Sequence, residues 1–303
     1  MMPDVLLEAC EISRRYGARQ AVRGVNLTLR RGDCLGLLGL NGAGKSTTLK
    51  MLVGVLAPHA GKILIQGLDL AQQPLTAKMN LGYLPETPPL FLDARVDDYL
   101  AFCAALHRAP DPTRQIARAK QRCGLNDVGK RVIGNLSKGY QQRIGFAQAI
   151  VHEPAVLVLD EPTVGLDPLQ IREIRTLMRE LAGQHAVILS THLLAEVQQI
   201  CTRVAVLHQG VLVHEGALTP AGLNLQITLL GAPNAATSLR EIDGVTTVEA
   251  IATGVYRLGV EHPAVAESIS AWVVARGWGL RELRSAEGPL EQTFLALTAG
   301  AAA

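Results

Sequence analysis

Residues 39–47 read GLNGAGKST. The stretch closes the apolar run LGLLG (35–39) and opens KSTTLKMLVGVL (45–56), whose apolar residues recur at helical spacing. The pattern G-x-x-x-x-G-K-[ST], set between a strand and a helix, constrains the fold more than any other feature of the chain. Gly39, Gly42 and Gly44 let the backbone wrap close to phosphates. The loop amides from Asn41 through Gly42, Ala43 and Gly44 to Thr47, with the helix N-terminus, supply positive potential. Lys45 is expected to reach the β- and γ-phosphates, and Ser46 to ligate Mg²⁺. An accidental Gly-rich turn lacks this flanking context.

The chain continues in the same rhythm. KILIQG (62–67) reads as a strand, and residues 95–124 as helical with breakers at Pro110 and Pro112. AVLVLD (155–160), the helix PLQIREIRTLMRELAG (168–183) and AVILSTH (186–192) follow. That helix has Asp167 as N-cap, Pro168 in its first turn, Gly183 at its end and one apolar face. Residues 204–216 read as a hairpin turning at Gln209-Gly210. Strands alternating with helices imply a largely parallel sheet covered by helices. Around Leu218 to Leu225 the rhythm changes, and beyond it the order is strand-helix-strand-strand-helix-strand, a ferredoxin-like sequence of elements, then a last helix PLEQTFLALT. The expected organisation is an α/β unit over 1–220, with a helical insert at about 87–150, and a small α+β unit over 221–303.

Two acids end the strand AVLVLDEP (155–162). Ligands of parallel sheets bind at the C-terminal edge. There, Asp160 is expected to orient Mg²⁺ and Glu161 to polarise an attacking water. His192 ends the next strand and is expected to contact the γ-phosphate and hold the water and Glu161. Composition narrows the rest. The net charge of the 303-residue chain is +2 and aromatics are 4%, so there is no strong nucleic-acid footprint. Mean hydropathy is +0.20, yet no run of about 18 apolar residues occurs, so a membrane span is not expected. The N-terminal MMPDVLLEACEISRRYG has no signal-peptide pattern. Five scattered cysteines read as small buried hydrophobes in a reducing compartment, the cytoplasm.

LSKGYQQR (136–143) is a second phosphate-facing motif, far from the first. Together these residues resemble one family, the ATP-binding subunits of ABC transporters, over about Ala9 to Gly216. LSKGYQQR is similar to that family's signature, usually LSGGQ. The resemblance implies a P-loop NTPase of ABC type with a mixed sheet and a helical subdomain, using ATP and Mg²⁺. It implies that two copies pack head to tail, so that Ser137 and Gly139, with Lys138 between them, face the γ-phosphate on the other copy's Lys45. Tyr16 in SRRYGARQAV matches the aromatic residue that stacks on adenine, and TVGLDP (163–168) matches the loop whose Asp167 crosses the dimer interface, besides capping its helix. Glu86 in LGYLPE stands where the family usually has Gln; an acid there can still approach Mg²⁺. Lys138 and Tyr140 replace the usual Gly and Gln of the signature. The YLPE and SKG segments and the PLEQTFLALT tail resemble the branch serving drug, polysaccharide and gliding-motility exporters.

The expected function is therefore an ATPase powering a membrane exporter, peripheral at the cytoplasmic face of the inner membrane. The expected partners are a second copy of the chain and integral membrane permease subunits. The alternatives are an ATPase driving a mechanotransmission complex and a non-transport ATPase on ribosomes or DNA. The C-terminal unit carries no clear site and is expected to serve dimer contact or regulation.

Overall fold

An antiparallel pair opens the chain: β1 (Val5–Tyr16) and β2 (Arg19–Arg30), paired from Val5 opposite Arg30 to Tyr16 opposite Arg19. The sequence reading missed this hairpin. Its alternation is broken by register shifts, so the period-2 signal on which a strand assignment rests is weak. The computed structural model describes residues 4–218, 224–231 and 235–286, which fall in two units, Met1–Leu218 and Thr219–Ala303.

The first unit continues with β3 (Cys34–Leu38), α1 (Lys45–Leu52), β4 (Ala60–Ile65), β5 (Leu68–Asp69), α2 (Pro74–Lys78) and β6 (Leu81–Leu84). Then come α3 (Val96–Leu106), α4 (Pro112–Arg122), α5 (Lys138–Ile150), β7 (Val156–Asp160), α6 (Pro168–Ala182), β8 (Ala186–Thr191), α7 (Leu194–Ile200), β9 (Arg203–His208) and β10 (Val211–Ala217). Helix α1 is shorter than its apolar spacing suggested, because the chain turns at Gly54, φ +67°. The helical stretch 95–124 is split at Pro110 and Pro112 into α3 and α4.

Two sheets result. One is antiparallel, in the order β2-β1-β4-β5. The other has the order β10-β9-β3-β8-β7-β6, parallel except for the edge pair β9–β10. That pair is joined at Gln209 and Gly210, both with positive φ (47° and 82°), as a tight hairpin turn requires. Every residue of β3, β7 and β8 is buried, as expected for strands covered on both faces. One apolar core joins the sheets through α1: Ile12, Leu27 and Ile65 from the first, Leu35, Val158 and Ile188 from the second, Leu49 and Leu52 between them. Each such side chain contributes roughly 1.5–3 kcal/mol. The parallel register sets Leu38 opposite Thr191 and Asp160 opposite Ser190, so the C-terminal ends of β3, β8 and β7 lie side by side.

Helix α6 shows the capping its sequence suggested. Asp167 accepts from the Gln170 amide at 2.9 Å, and the Gln170 side chain accepts from the Asp167 amide at 3.4 Å. Ile174, Leu177, Met178 and Leu181 form its buried face.

Where α3 meets the end of α5, the rings of His107 and His152 stack, centroids 3.8 Å apart. His152 Nε2 lies 3.0 Å from the Leu81 carbonyl, and His185 Nδ1 lies 2.7 Å from that of Pro154. Burial, and next the neighbouring His107, lower the His152 pKa from 6.5 to about 4; burial also lowers those of His107 and His185. The unfolded chain therefore takes up protons that the folded chain refuses. Stability is full above about pH 6.5 and falls as the pH drops towards about 4. The expected loss from His152 alone is on the order of 3 kcal/mol at pH 4. Denaturant midpoints measured from pH 7 to pH 4 check this, and His152→Phe should flatten the slope.

The second unit contains β11 (Asn224–Leu230), α8 (Ala236–Leu239), β12 (Val245–Ala252), β13 (Val255–Val260), α9 (Val265–Ala275) and β14 (Gly279–Ser285). Its sheet is antiparallel throughout, in the order β12-β13-β11-β14. Helix α8 covers only part of the expected 235–243, because the chain must turn at Gly244, φ +83°, to enter β12. Ile227, Leu258, Ile269 and Val273 make the core, with Tyr256, whose hydroxyl accepts from the Ala235 amide at 2.9 Å. The last expected helix, residues 289–298, lies outside the described residues.

Candidate active site

The turn after β3 owes its course to glycine. Gly44 has φ +108°, and a Cβ there would sit 2.5 Å from the Ala21 carbonyl oxygen; a Cβ on Gly39 would sit 2.4 Å from that of Leu207. The loop is thus pressed onto β2 and β9, and its far side faces a pocket of about 590 Å³. Tyr16, Arg19, Ala21, Leu40, Asn41, Gly42, Gly44, Lys45, Ser46, Thr47, Glu86, Glu161, Val164 and His192 line it. Gly39 and Ala43 belong to the loop without lining the pocket. Tyr16 is 49% exposed, with the Arg14 guanidinium carbon 5.4 Å from its ring centroid.

Two hydrogen-bonded groups occupy the floor. In the first, Ser46 Oγ donates to Asp160 Oδ1 at 3.1 Å and Ser190 Oγ donates to the same oxygen at 2.6 Å. The Glu161 amide donates to Ser190 Oγ and to the Ser190 carbonyl. These bonds hold Glu161 at φ +46°, a left-handed conformation that is uncommon outside glycine. Near Asp160, the Tyr83 hydroxyl is pushed up to about 12 by burial and by that carboxylate's charge.

In the second group, Lys45 Nζ donates to the Gly39 carbonyl at 2.8 Å and lies 3.3 Å from Glu161 Oε1. Glu161 Oε2 lies 3.0 Å from His192 Nδ1. The Lys45 and Glu161 side chains are only 6% and 10% exposed, so their charges are held against each other out of water.

Below the floor, the fully buried Glu196 of α7 gathers three segments. It accepts from Thr163 Oγ1 and Thr191 Oγ1, both at 2.8 Å, and from Arg175 Nη2 at 3.2 Å. Gln142 of α5 donates to the Pro162 carbonyl at 2.9 Å, tying that helix to the chain just past Glu161.

Ser137, Lys138, Gly139 and Asp167 do not line the pocket. Ser137 caps α5, accepting from the Tyr140 amide. A Cβ on Gly165 would sit 2.5 Å from Lys138 Nζ, and one on Gly139 would sit 2.7 Å from the Gln170 side chain, so these segments touch within the chain. The Glu86 side chain lines the pocket without a hydrogen bond or ion pair among the described residues. Sequence reasoning passed over Arg19, Ser190 and Glu196. The first two stood inside stretches already singled out, where Tyr16 and His192 drew the attention.

The pocket fits a nucleoside triphosphate: an exposed aromatic face at one end, loop amides and Lys45 at the other. The Ser46 hydroxyl and Asp160 carboxylate are hard oxygen donors, already in contact, and suit a small divalent cation such as Mg²⁺. Fold and site together define a P-loop nucleotide-binding protein. Residues 22–164 match the ABC transporter family. The bacitracin transport ATP-binding protein BcrA of Bacillus licheniformis is 33% identical, over 70% of each chain. The Nod factor export ATP-binding protein I of Burkholderia lata is 32% identical, over 98% of each chain. A solved ATP-binding subunit of an ABC transporter superposes with a TM-score of 0.65 at 33% identity, over 70% of this chain and 90% of that one. The chain belongs to the ATP-binding subunits of ABC transporters, ATPases coupled to transport.

Proposed function

We propose that this chain hydrolyses ATP to power a membrane exporter, with Glu161 as the group that activates water. The pairing of a buried Glu161 with both Lys45 and His192 carries this reading, because it sets an acid, a cation and an imidazole at the phosphate end of the pocket. Adenine stacks on Tyr16, and the loop amides take the phosphates. Ser46 and Asp160 would hold Mg²⁺, which would supply charge neutralisation for the phosphates. Lys45 turns from Glu161 to the γ-phosphate, which frees the carboxylate. Glu161 then orients a water whose oxygen attacks the γ-phosphorus as the bond to the ADP oxygen breaks. His192 holds Glu161 in place, and Glu86 adds negative charge at the same end.

Ser137, Lys138, Gly139 and Asp167 are then read as facing the nucleotide of a second copy. Their position away from this chain's own pocket supports that reading. ATP bridges the two copies, and hydrolysis releases them. The exporter assignment draws on the Nod factor export protein, which matches almost end to end. No helix among the described residues is long and apolar enough to cross a membrane; the permease is read as a separate partner chain. Its docking surface is read at Phe91, Leu92, Phe102 and Leu106, exposed apolar side chains of the helical subdomain. The chain then sits peripherally at the cytoplasmic face of the inner membrane.

Affinity purification of the tagged chain from its native cells in mild detergent tests this reading. The expected result is a stoichiometric multi-span membrane protein and Mg²⁺-dependent ATP hydrolysis by the complex. Ribosomal or DNA-bound partners without a membrane protein would overturn the exporter assignment.

A further inference from the structure

We propose that Arg19 is a nucleotide-binding residue, its guanidinium pairing with the phosphates next to the ribose. The proposal rests on the nucleotide reading of the pocket. The pocket lining contains two cations, Arg19 and Lys45, and two carboxylates, Glu86 and Glu161. Lys45 stands 3.3 Å from Glu161 and serves the γ-phosphate end. Arg19 has no acidic partner among the described residues; its side chain makes one hydrogen bond, from Nη2 to the Gly42 carbonyl at 3.1 Å.

That bond fixes where the charge stands. Gly42 lies three residues before Lys45, in the part of the loop whose amides cradle the α- and β-phosphates. Arg19 follows the turn after Tyr16, directly opposite it in the β1–β2 register. Its guanidinium therefore reaches the loop from the adenine end, while Lys45 serves the γ-phosphate end. A guanidinium presents planar paired donors to phosphate oxygens and carries its charge at any physiological pH. The hairpin thus brings an aromatic face for the base and a cation for the inner phosphates. Arg19 also restores positive charge to a pocket to which Glu86 adds a negative one.

An exchange of one hydrogen bond to a carbonyl for a charge-assisted pair with phosphate predicts a specific pattern. Arg19→Ala should weaken ATP and ADP binding by the same factor, about tenfold, because both ligands carry the inner phosphates. KM for ATP should rise by a similar factor while kcat changes little, since Arg19 does not face the γ-phosphate. Arg19→Lys should recover part of the affinity. Titration calorimetry with ATP and ADP, with steady-state hydrolysis, reads all of this; the side chain is exposed, and thermal melting verifies that the variant folds. Unchanged affinity for both nucleotides would overturn the proposal, as would a loss confined to ATP, which would place Arg19 at the γ-phosphate. Should the wild-type chain itself fail to bind ATP, the reading of the pocket falls and this proposal with it; a wild-type chain that binds beside an Arg19→Ala variant that binds equally well sinks this proposal alone.

Discussion

Glu161→Gln should bind ATP as the wild type does and hydrolyse it at least about a hundredfold more slowly, within the range expected for removing a positioned general base. The carboxamide fills the same space and still offers an oxygen to His192, so the pocket keeps its shape. It cannot take up a proton from water at neutral pH. The nucleotide then stays intact, and on the shared-site reading the variant accumulates as an ATP-bound dimer. Single-turnover hydrolysis and size-exclusion chromatography with and without ATP measure the two effects. Wild-type turnover in this variant would remove Glu161 from the catalytic role.

Lys45→Ala has a second consequence besides weaker nucleotide binding. In the structure the Lys45 ammonium is 3.3 Å from Glu161 Oε1, and both side chains are almost fully buried. Removing the cation leaves a carboxylate out of water with only an imidazole beside it. Losing one partner of a buried pair costs about 3–5 kcal/mol. The nucleotide-free variant should therefore melt at a clearly lower temperature than the wild type. Adding Glu161→Gln removes the stranded charge, and the double variant should recover much of the loss. The coupling between the two changes, read from a double-mutant cycle in denaturant, is the quantity to measure. Strict additivity would mean that the pair carries no stability in the nucleotide-free chain.

The parallel sheet could be read from the sequence because its strands are buried on both faces. LGLLG, AVLVLD and AVILST are short apolar runs bounded by turn residues, and each falls on a fully buried strand, β3, β7 and β8. The phosphate loop was legible because glycine, lysine and serine must stand at fixed positions for chemical reasons. The β1–β2 hairpin was not, since its register shifts blur the alternation on which a strand reading depends. Ser190 escaped for another reason. Its importance comes from the register that sets it opposite Asp160, and neighbouring strands in this sheet come from distant parts of the chain. Glu196 was hidden in an amphipathic helix, where an acid ordinarily faces solvent. Only the packing of α7 shows that it is buried and bonded on three sides.

That carboxylate decides where the site is stiff. Thr163 lies two residues past Glu161, and Thr191 lies next to His192; both hydroxyls end on the same side chain. Moving either segment away from the other leaves a buried acceptor unmet, at a cost of about 1–3 kcal/mol, more for a charged group. The backbone on both sides of the reacting centre thus behaves as a single riveted plate. The rivet itself does not hold the Glu161 side chain above it, which rests on Lys45 and His192, or the segment from Val164 to Asp167, whose amides bond back to the Glu161 and Thr163 carbonyls before it runs out towards α6. On the proposed reading, a change at the γ-phosphate would reach α6 through that segment while the floor beneath it stays still.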